Sequence, residues 1–466
     1  MMKMISSFKN RLNWQGGANV NIEELKQRIF ESGVVGAGGA GFPTNVKLNE
    51  NADTIILNCA ECEPLLRVDQ QLMAIYTDEI ISALSLIVET LKANVGIIAI
   101  KAKYKEALEA INNRISQYPF IKLHLLPDIY PSGDEVMMIY EATGKVVPRG
   151  SIPIVVGAIV LNTETVLNIY NAIIKQQPVT KKYVTITGEV NSPITVCVPI
   201  GTKIKELIKM AGGQRVDEIG IVMGGPMTGI LVDEDTPITK TTKAILVLPK
   251  KHTIIQRKQA TTVLNIKKVM SVCSQCRMCT DLCPRNLLGH NVEPHRLMNA
   301  LANGLTIDSS AFLTALGCCS CGICEMFACH HELSPRSLMM DCKAKLMAKG
   351  LKQTVSENSR VNPQRDIRAV QTKRLIARLN LTQYNNIKAP ISKKEIFVDS
   401  VEIPLKQHVG VPSISNVEEQ QLVHAGDVIA TVPDAALGAV IHASIDGKVE
   451  KVTQNSITIR ARGGRE

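Results

Sequence analysis

A chain of 466 residues has room for roughly three or four domains of ordinary size. Its 45% hydrophobic and 21% charged residues exclude a disordered chain, and its 3% aromatic residues argue against a surface built to stack nucleic-acid bases. The formal charge of +10 is spread along the whole chain, which points to no acidic partner.

Residues 1–20 form a basic segment in which Met1, Met4, Ile5, Phe8 and Leu12 fall on one helical face. That face suits a frayed or packed terminus, or a targeting helix docking in a partner groove. It contains no continuous apolar stretch of the kind a secretory signal needs, and no run in the chain approaches the ~18 apolar residues that span a bilayer. The expectation is a cytoplasmic chain without a membrane span, whose thirteen cysteines serve metal or redox chemistry rather than disulfides.

From residue 21 to about 175 the pattern alternates. Residues 22–32 read as a helix, 53–60 (DTIILNCA) as a buried strand and 70–91 as one long helix. Residues 94–103 read as a strand, 104–116 as a helix and 121–127 as a strand. Strand and helix in turn predict a parallel α/β domain. At 176–250 two β-rich runs and a helix closed by Gly-Gly predict a small α+β module. Residues 255–350 hold most of the cysteines among helical stretches. Residues 351–393 are polar and read as a linker with one helix over 366–380. Residues 394–466 are β-rich with Gly and Asp at turns, a compact all-β module.

The first cysteine group is Cys273-x2-Cys276-x2-Cys279-x3-Cys283-Pro284, and the second is Cys318-x2-Cys321-x2-Cys324-x4-Cys329. Structural zinc sites usually use two CxxC pairs well apart in sequence, so a triple at x2-x2 spacing, twice over, fits zinc poorly. It fits [4Fe–4S] cubanes, where the fourth cysteine of each run ligates the other cluster. The pattern therefore predicts Cys273, Cys276, Cys279 and Cys329 on one cluster and Cys318, Cys321, Cys324 and Cys283 on a second. The second run departs from the standard one by an extra residue before Cys329 and by His330 in the place of proline. Cys319 reads as a spare thiol, and His330 and His331 are not needed as ligands. The segment resembles a two-cluster bacterial ferredoxin.

The stretch GVVGAGGAGFPTNVKLNE (33–50) lets backbone N–H groups approach a phosphate or ring closely. It is no P-loop, lacking Gly-Lys-Ser/Thr, and it follows a helix, unlike the usual dinucleotide fingerprint. The next strand ends in NCAECEP (58–64), which puts Asn58, Glu61 and Glu63 where open α/β sheets bind ligands. With YPSGDE (130–135) and VLNTET (160–165), these motifs resemble the flavin-binding subunit of respiratory complex I and the RnfC protein of the Rnf complex.

The resemblance implies a multidomain α/β and α+β protein. It comprises an FMN-binding α/β domain, a β-grasp (soluble-ligand-binding) domain, a helical two-cluster domain and a C-terminal biotinyl/lipoyl-like hybrid module. RnfC has that module at its N-terminus. Over nearly the whole chain the order is similar to the cobalamin reductases of the propanediol-utilisation microcompartment.

Carried over residue by residue, the resemblance implies that Gly36, Gly38, Gly39, Gly41 and Lys47 line FMN. Asn58, Glu61 and Glu63 come from the acidic loop, Tyr130, Gly133 and Glu135 from YPSGDE, and Asn162 and Thr165 from the last motif. It assigns no catalytic acid, base or nucleophile. Where the complex I pattern has an arginine, an aspartate and a nucleotide-stacking aromatic, this chain has Ala37, Ala60 and Glu50.

The implied activity is NADH-dependent oxidoreduction through FMN and two [4Fe–4S] clusters. Flavin links a two-electron donor to one-electron acceptors. The implied acceptor is cobalamin or a partner redox protein such as an adenosyltransferase, within or outside a microcompartment shell. An electron relay without its own NADH site is the alternative. Two thiolate-held clusters and a flavin phosphate would remove roughly six positive charges. Cys59 and Cys62 form a CxxC with no helix opening at Cys62, and Lys448 has no flanking methionines, so neither a thioredoxin-like pair nor a swinging arm is expected.

Overall fold

The computed structural model describes residues 21–305, 307, 309–356 and 359–462. The expected N-terminal helix therefore lies outside the described residues.

The first domain is built on four parallel strands: β1 (Thr54–Cys59), β2 (Val95–Lys101), β3 (Ile121–Leu126) and β4 (Ala158–Asn162). Their spatial order is β3-β2-β1-β4. β1 is buried along its entire length, which suits its run of β-branched and apolar side chains. The connections run outward from β1 to β2 and β3, then return to place β4 on the opposite side of β1. The order thus reverses between β1 and β4. A crevice for ligands opens outside the C-terminal ends of strands at such a reversal.

The helix expected over 70–91 is two helices, Val68–Ile75 and Thr77–Thr90, bent by 92° at Tyr76. Thr77, Asp78 and Glu79 begin the second helix, and acidic side chains there complement the helix dipole. Among the described residues no single helix is long and apolar enough to cross a membrane.

The second domain is a five-stranded mixed sheet with the helix Ile204–Met210 packed on it. The last described region is a pair of small sheets of four and three strands around Val401, Ile403, Ile429, Ile441, Val449 and Ile459. Lys448 stands exposed within a strand, paired with Arg460 and Leu422, and forms no protruding tip.

Residues 351–393 do more than link. The expected helix over 366–380 is reduced to Thr372–Arg378, because Val370 and Gln371 pair antiparallel with Tyr130 and Ile129 of the first domain. Val370, Leu375, Ile376, Leu379, Leu381 and Tyr384 then enter an apolar core shared with Leu65 and Tyr130, with Met227, Leu246 and Leu248, and with Ile323 and Met326. Four segments of the chain meet in this core. Truncating a fully buried member such as Leu375 is expected to cost about 2–5 kcal/mol.

Candidate functional site: a glycine-loop crevice beside two thiol sets

Asn58 at the end of β1 stands opposite Asn162 at the end of β4, at the reversal point of the sheet. The glycine loop is pinched at its base by the Gly36 N–H donating to the Phe42 carbonyl at 2.9 Å. It is tied to the crevice by the Ala37 N–H, which donates to Thr165 Oγ1 at 2.9 Å. Gly39, at φ +97°, is exposed, and a Cβ there would meet no atom within 4 Å. Gly38 lies over the Asn162 amide and the Lys243 side chain. Gly41 is different: a Cβ there would meet Thr241 and residues 407–408 of the C-terminal module. Its missing side chain makes room for another domain.

Asn58 holds the neighbouring motif in place, accepting from the Ala60 N–H at 3.0 Å and donating to the Gly133 carbonyl at 3.1 Å. A Cβ on Gly133 would sit 3.0 Å from Cys62 Sγ, so the motif packs closely on the acidic loop. Lys47, expected to line the flavin, pairs with Glu135 at 2.6 Å.

The two glutamates of the acidic loop part company. Glu63 is engaged by the second domain: it accepts from the Met227 N–H at 2.9 Å, the Thr228 N–H at 3.0 Å and the Thr228 hydroxyl at 2.6 Å. The Tyr130 hydroxyl oxygen lies 3.3 Å from it. Expected at the flavin, Glu63 clamps two domains together here, because turn 227–228 offers it the donors a carboxylate needs. Glu61 is buried, accepts from the Asp69 N–H at 3.0 Å, and leaves Oε1 without a partner among the described residues. Burial, and then the Asp69 carboxylate, push Glu61 up to about 8.

Beneath the loop lie residues that sequence reasoning missed. Lys243 of the second domain pairs with Asp69, and Lys182 pairs with Glu164 while donating to the Ala37 carbonyl at 3.2 Å. Burial works against the charge on Lys243, but Asp69 and Glu61 outweigh it and raise its pKa above the usual lysine value. No local motif marks Lys243; it reaches the crevice only through the docking of its domain. Besides Glu61 Oε1, the buried Asp69 Oδ1 and Ser132 Oγ also lack partners among the described residues. Unpaired polar atoms around an open glycine loop fit a bound polar group such as a flavin. When bound, a flavin takes up two electrons together and releases them singly.

The thiols fall into two sets. Cys279 lies among Cys329, Cys276 and Cys273, and burial followed by these neighbours pushes its thiol up to about 12. Cys324 lies near Cys318, Cys283 and Cys279, and Cys321 near Cys319, Cys283 and Cys324. Both runs share one backbone device, a left-handed residue on each side of the middle cysteine: Gln275 and Arg277 around Cys276, Ser320 and Gly322 around Cys321. The two runs thus turn the chain in the same way around their middle cysteine. The extra residue before Cys329 is absorbed by a π-helical turn over Ile323–Ala328, where the first run has an α-turn at Met278–Asp281.

All thirteen cysteines are free thiols. Among the described residues no three metal-binding side chains converge closely enough to hold a single ion. A cubane's four thiolates bind four different irons, so they need not converge. Each set offers the four thiols a [4Fe–4S] cluster takes, and crowded buried thiols become anionic once bound metal supplies positive charge.

Cys59 and Cys62 stay outside both sets. Burial holds them as thiols, pushed up to about 12 and about 11, which is inert chemistry. The His330 and His331 rings lie 4.2 Å apart, tilted by 45°, and His331 Nε2 meets Ser274 Oγ at 3.0 Å beside the first set.

Four known domain families match the chain. The Nuo51 FMN-binding domain matches residues 29–171, the SLBB domain 183–231, the 4Fe-4S dicluster domain 272–334 and the RnfC barrel sandwich hybrid domain 378–462. The chain is 43% identical over 443 residues to the cobalamin reductase PduS of Citrobacter freundii, covering 94% of this chain and 96% of that protein. It is 41% identical over 447 residues to PduS of Salmonella typhimurium, covering 95% and 97%. A component of the Na(+)-translocating ferredoxin:NAD(+) oxidoreductase complex of Acetobacterium woodii is 30% identical over 287 residues, covering 60% and 62%.

Proposed function

The chain, an oxidoreductase of the flavin and iron–sulfur type, belongs to the family of PduS cobalamin reductases, and on that premise we propose that it passes electrons from NADH through FMN and two [4Fe–4S] clusters to cobalamin. Cob(III)alamin is the oxidised substrate and lower states are the products. Cys273, Cys276, Cys279 and Cys329 hold one cluster, and Cys318, Cys321, Cys324 and Cys283 the other. FMN rests against Gly36, Gly38 and Gly39, with Asn58, Glu61, Gly133, Asn162 and Thr165 around it. Lys243 joins them from the second domain. Gly41, Lys47, Glu63, Tyr130 and Glu135 support the crevice through their contacts with other segments.

The observation that carries this reading is the link through YPSGDE, bonded to Asn58 of the crevice at Gly133 and to the Cys321 carbonyl at Tyr130, within a chain matched almost end to end by PduS proteins. The work proceeds in a bacterial microcompartment, with an adenosyltransferase or another redox protein, or the shell itself, as partner.

Ala37, Ala60 and Glu50 favour a second reading, in which the chain relays electrons in an Rnf-like manner without its own NADH site. Anaerobic mixing separates the two. Bleaching of the flavin band by NADH within turnover time supports direct oxidation of NADH. Bleaching by dithionite but not by NADH supports the relay. Iron, sulfide and FMN counted per chain test the cofactor set: about eight irons and one flavin are expected.

A further inference from the structure

The two thiol sets differ in what lies against them. The second set is bonded to the YPSGDE segment of the flavin domain at two points. Tyr130 donates its hydroxyl proton to the Cys321 carbonyl at 2.6 Å, and Arg285 Nη2 donates to Asp134 Oδ2 at 2.9 Å. Arg285 follows Cys283 and Pro284 in the short helix Pro284–Leu287. The other oxygen of Asp134 caps the helix Glu135–Thr143, accepting from the Val136 and Met137 N–H groups at 3.2 and 3.1 Å. The carboxylate is thereby fixed, and so is the guanidinium it holds. The side chains of Arg285 and Asp134 are only 16% and 12% exposed.

One donor of this guanidinium is unspent. Arg285 Nε is buried and has no hydrogen-bond partner among the described residues. Sulfur lies against the group: the Cys319 thiol neighbours the guanidinium, and Cys319 in turn neighbours Cys283, Cys318 and Cys321. The cations near the first set are placed otherwise. Arg277 is 56% exposed and lies 3.9 Å from Asp281, and Arg378 reaches the Cys329 carbonyl at 3.3 Å from an exposed position. Water and salt screen such charges, whereas a largely desolvated guanidinium keeps its field.

We propose that Arg285, pinned by Asp134 and lying against Cys319, brings its positive charge to the edge of the second thiol set, and so raises the reduction potential of the cluster held there. The proposal rests on the reading that this set holds a [4Fe–4S] cluster. Reduction adds one negative charge to such a cluster, and a fixed cation and N–H···S bonds favour the state that carries more of it. Arg285 is a positioning residue: its side chain touches the flavin domain through Asp134 and, on the other side, the Cys319 thiol that neighbours the set.

The test is an EPR-monitored redox titration of the anaerobically purified full chain, with iron, sulfide and FMN counted in every sample. In R285Q one cluster signal is expected to move to lower potential while the other midpoint and the iron and FMN contents stay at wild-type values. R285K keeps the charge but loses the rigid guanidinium that Asp134 holds, and a smaller fall of the same signal is expected. Unmoved midpoints in R285Q with full iron overturn the proposal. If R285Q binds less iron, R285K decides, and an unmoved midpoint there overturns it. An unmodified chain that binds zinc or no iron overturns the cluster reading and this proposal with it.

Discussion

The two thiol sets are wrapped by the same backbone turn and sit in different surroundings. Each has a left-handed residue before and after its middle cysteine. Yet Cys276 of the first is exposed, while Cys321 of the second packs against the core shared by four segments. The comparison teaches that ligand geometry is a local property, carried by spacing, whereas the environment that tunes a site is assembled by distant parts of the chain.

The largest expected effect comes from removing a ligand. Cys324→Ala is expected to lose about half of the bound iron and to lower the thermal midpoint, since Cys324 is buried. Cys276→Ala should lose as much iron with a smaller loss of thermal stability. Equal thermal losses would erase the contrast between buried and exposed sets.

Next comes the clamp that holds the second set's surroundings together. A Cβ on Gly225 would run into the Glu63 carboxylate, so Gly225→Ala is expected to cost about 3 kcal/mol in denaturant unfolding.

A pH titration contrasts the two glutamates of the acidic loop. Glu61 is held up to about 8 in the fold against an ordinary 4.5. The folded chain keeps this proton while the unfolded chain gives it up, so folding weakens as pH rises through that window. Glu61→Gln removes the penalty, and its margin in thermal midpoint over the wild type should widen from pH 4.5 to 8 and then level off.

The smallest effects compare like with like. Tyr130→Phe strips a buried donor from the Cys321 carbonyl and should cost about 1–2 kcal/mol. Arg378→Ala removes an exposed donor from the Cys329 carbonyl and should cost about 0.5 kcal/mol or less.

What can be read from the sequence follows the same division. The cysteine spacing carries the grouping of thiols, and buried β-branched runs carry the strands of the first domain. The break at Tyr76 is written in Thr77-Asp78-Glu79, a helix-start signal masked by an apolar period that continues across it. The linker helix is shorter than its pattern suggests because strand pairing with Tyr130 captures Val370 and Gln371, and no local propensity announces a partner 240 residues away. Lys243 and the roles of Glu63 and Arg285 are products of docking between domains. Their side chains are ordinary, and their neighbours are remote in the chain.

The contact at Gly41 has a consequence for how such proteins are put together. The Gly41 carbonyl accepts from the Val409 N–H at 3.2 Å, and Lys240 bridges the Gly33 and Val440 carbonyls at 2.7 and 2.8 Å. The hybrid module thus nests beside the opening stretch of the flavin domain although it follows the other domains along the chain. The module's seat is therefore set by these contacts with residues 33–41 and not by the segments next to it in the chain.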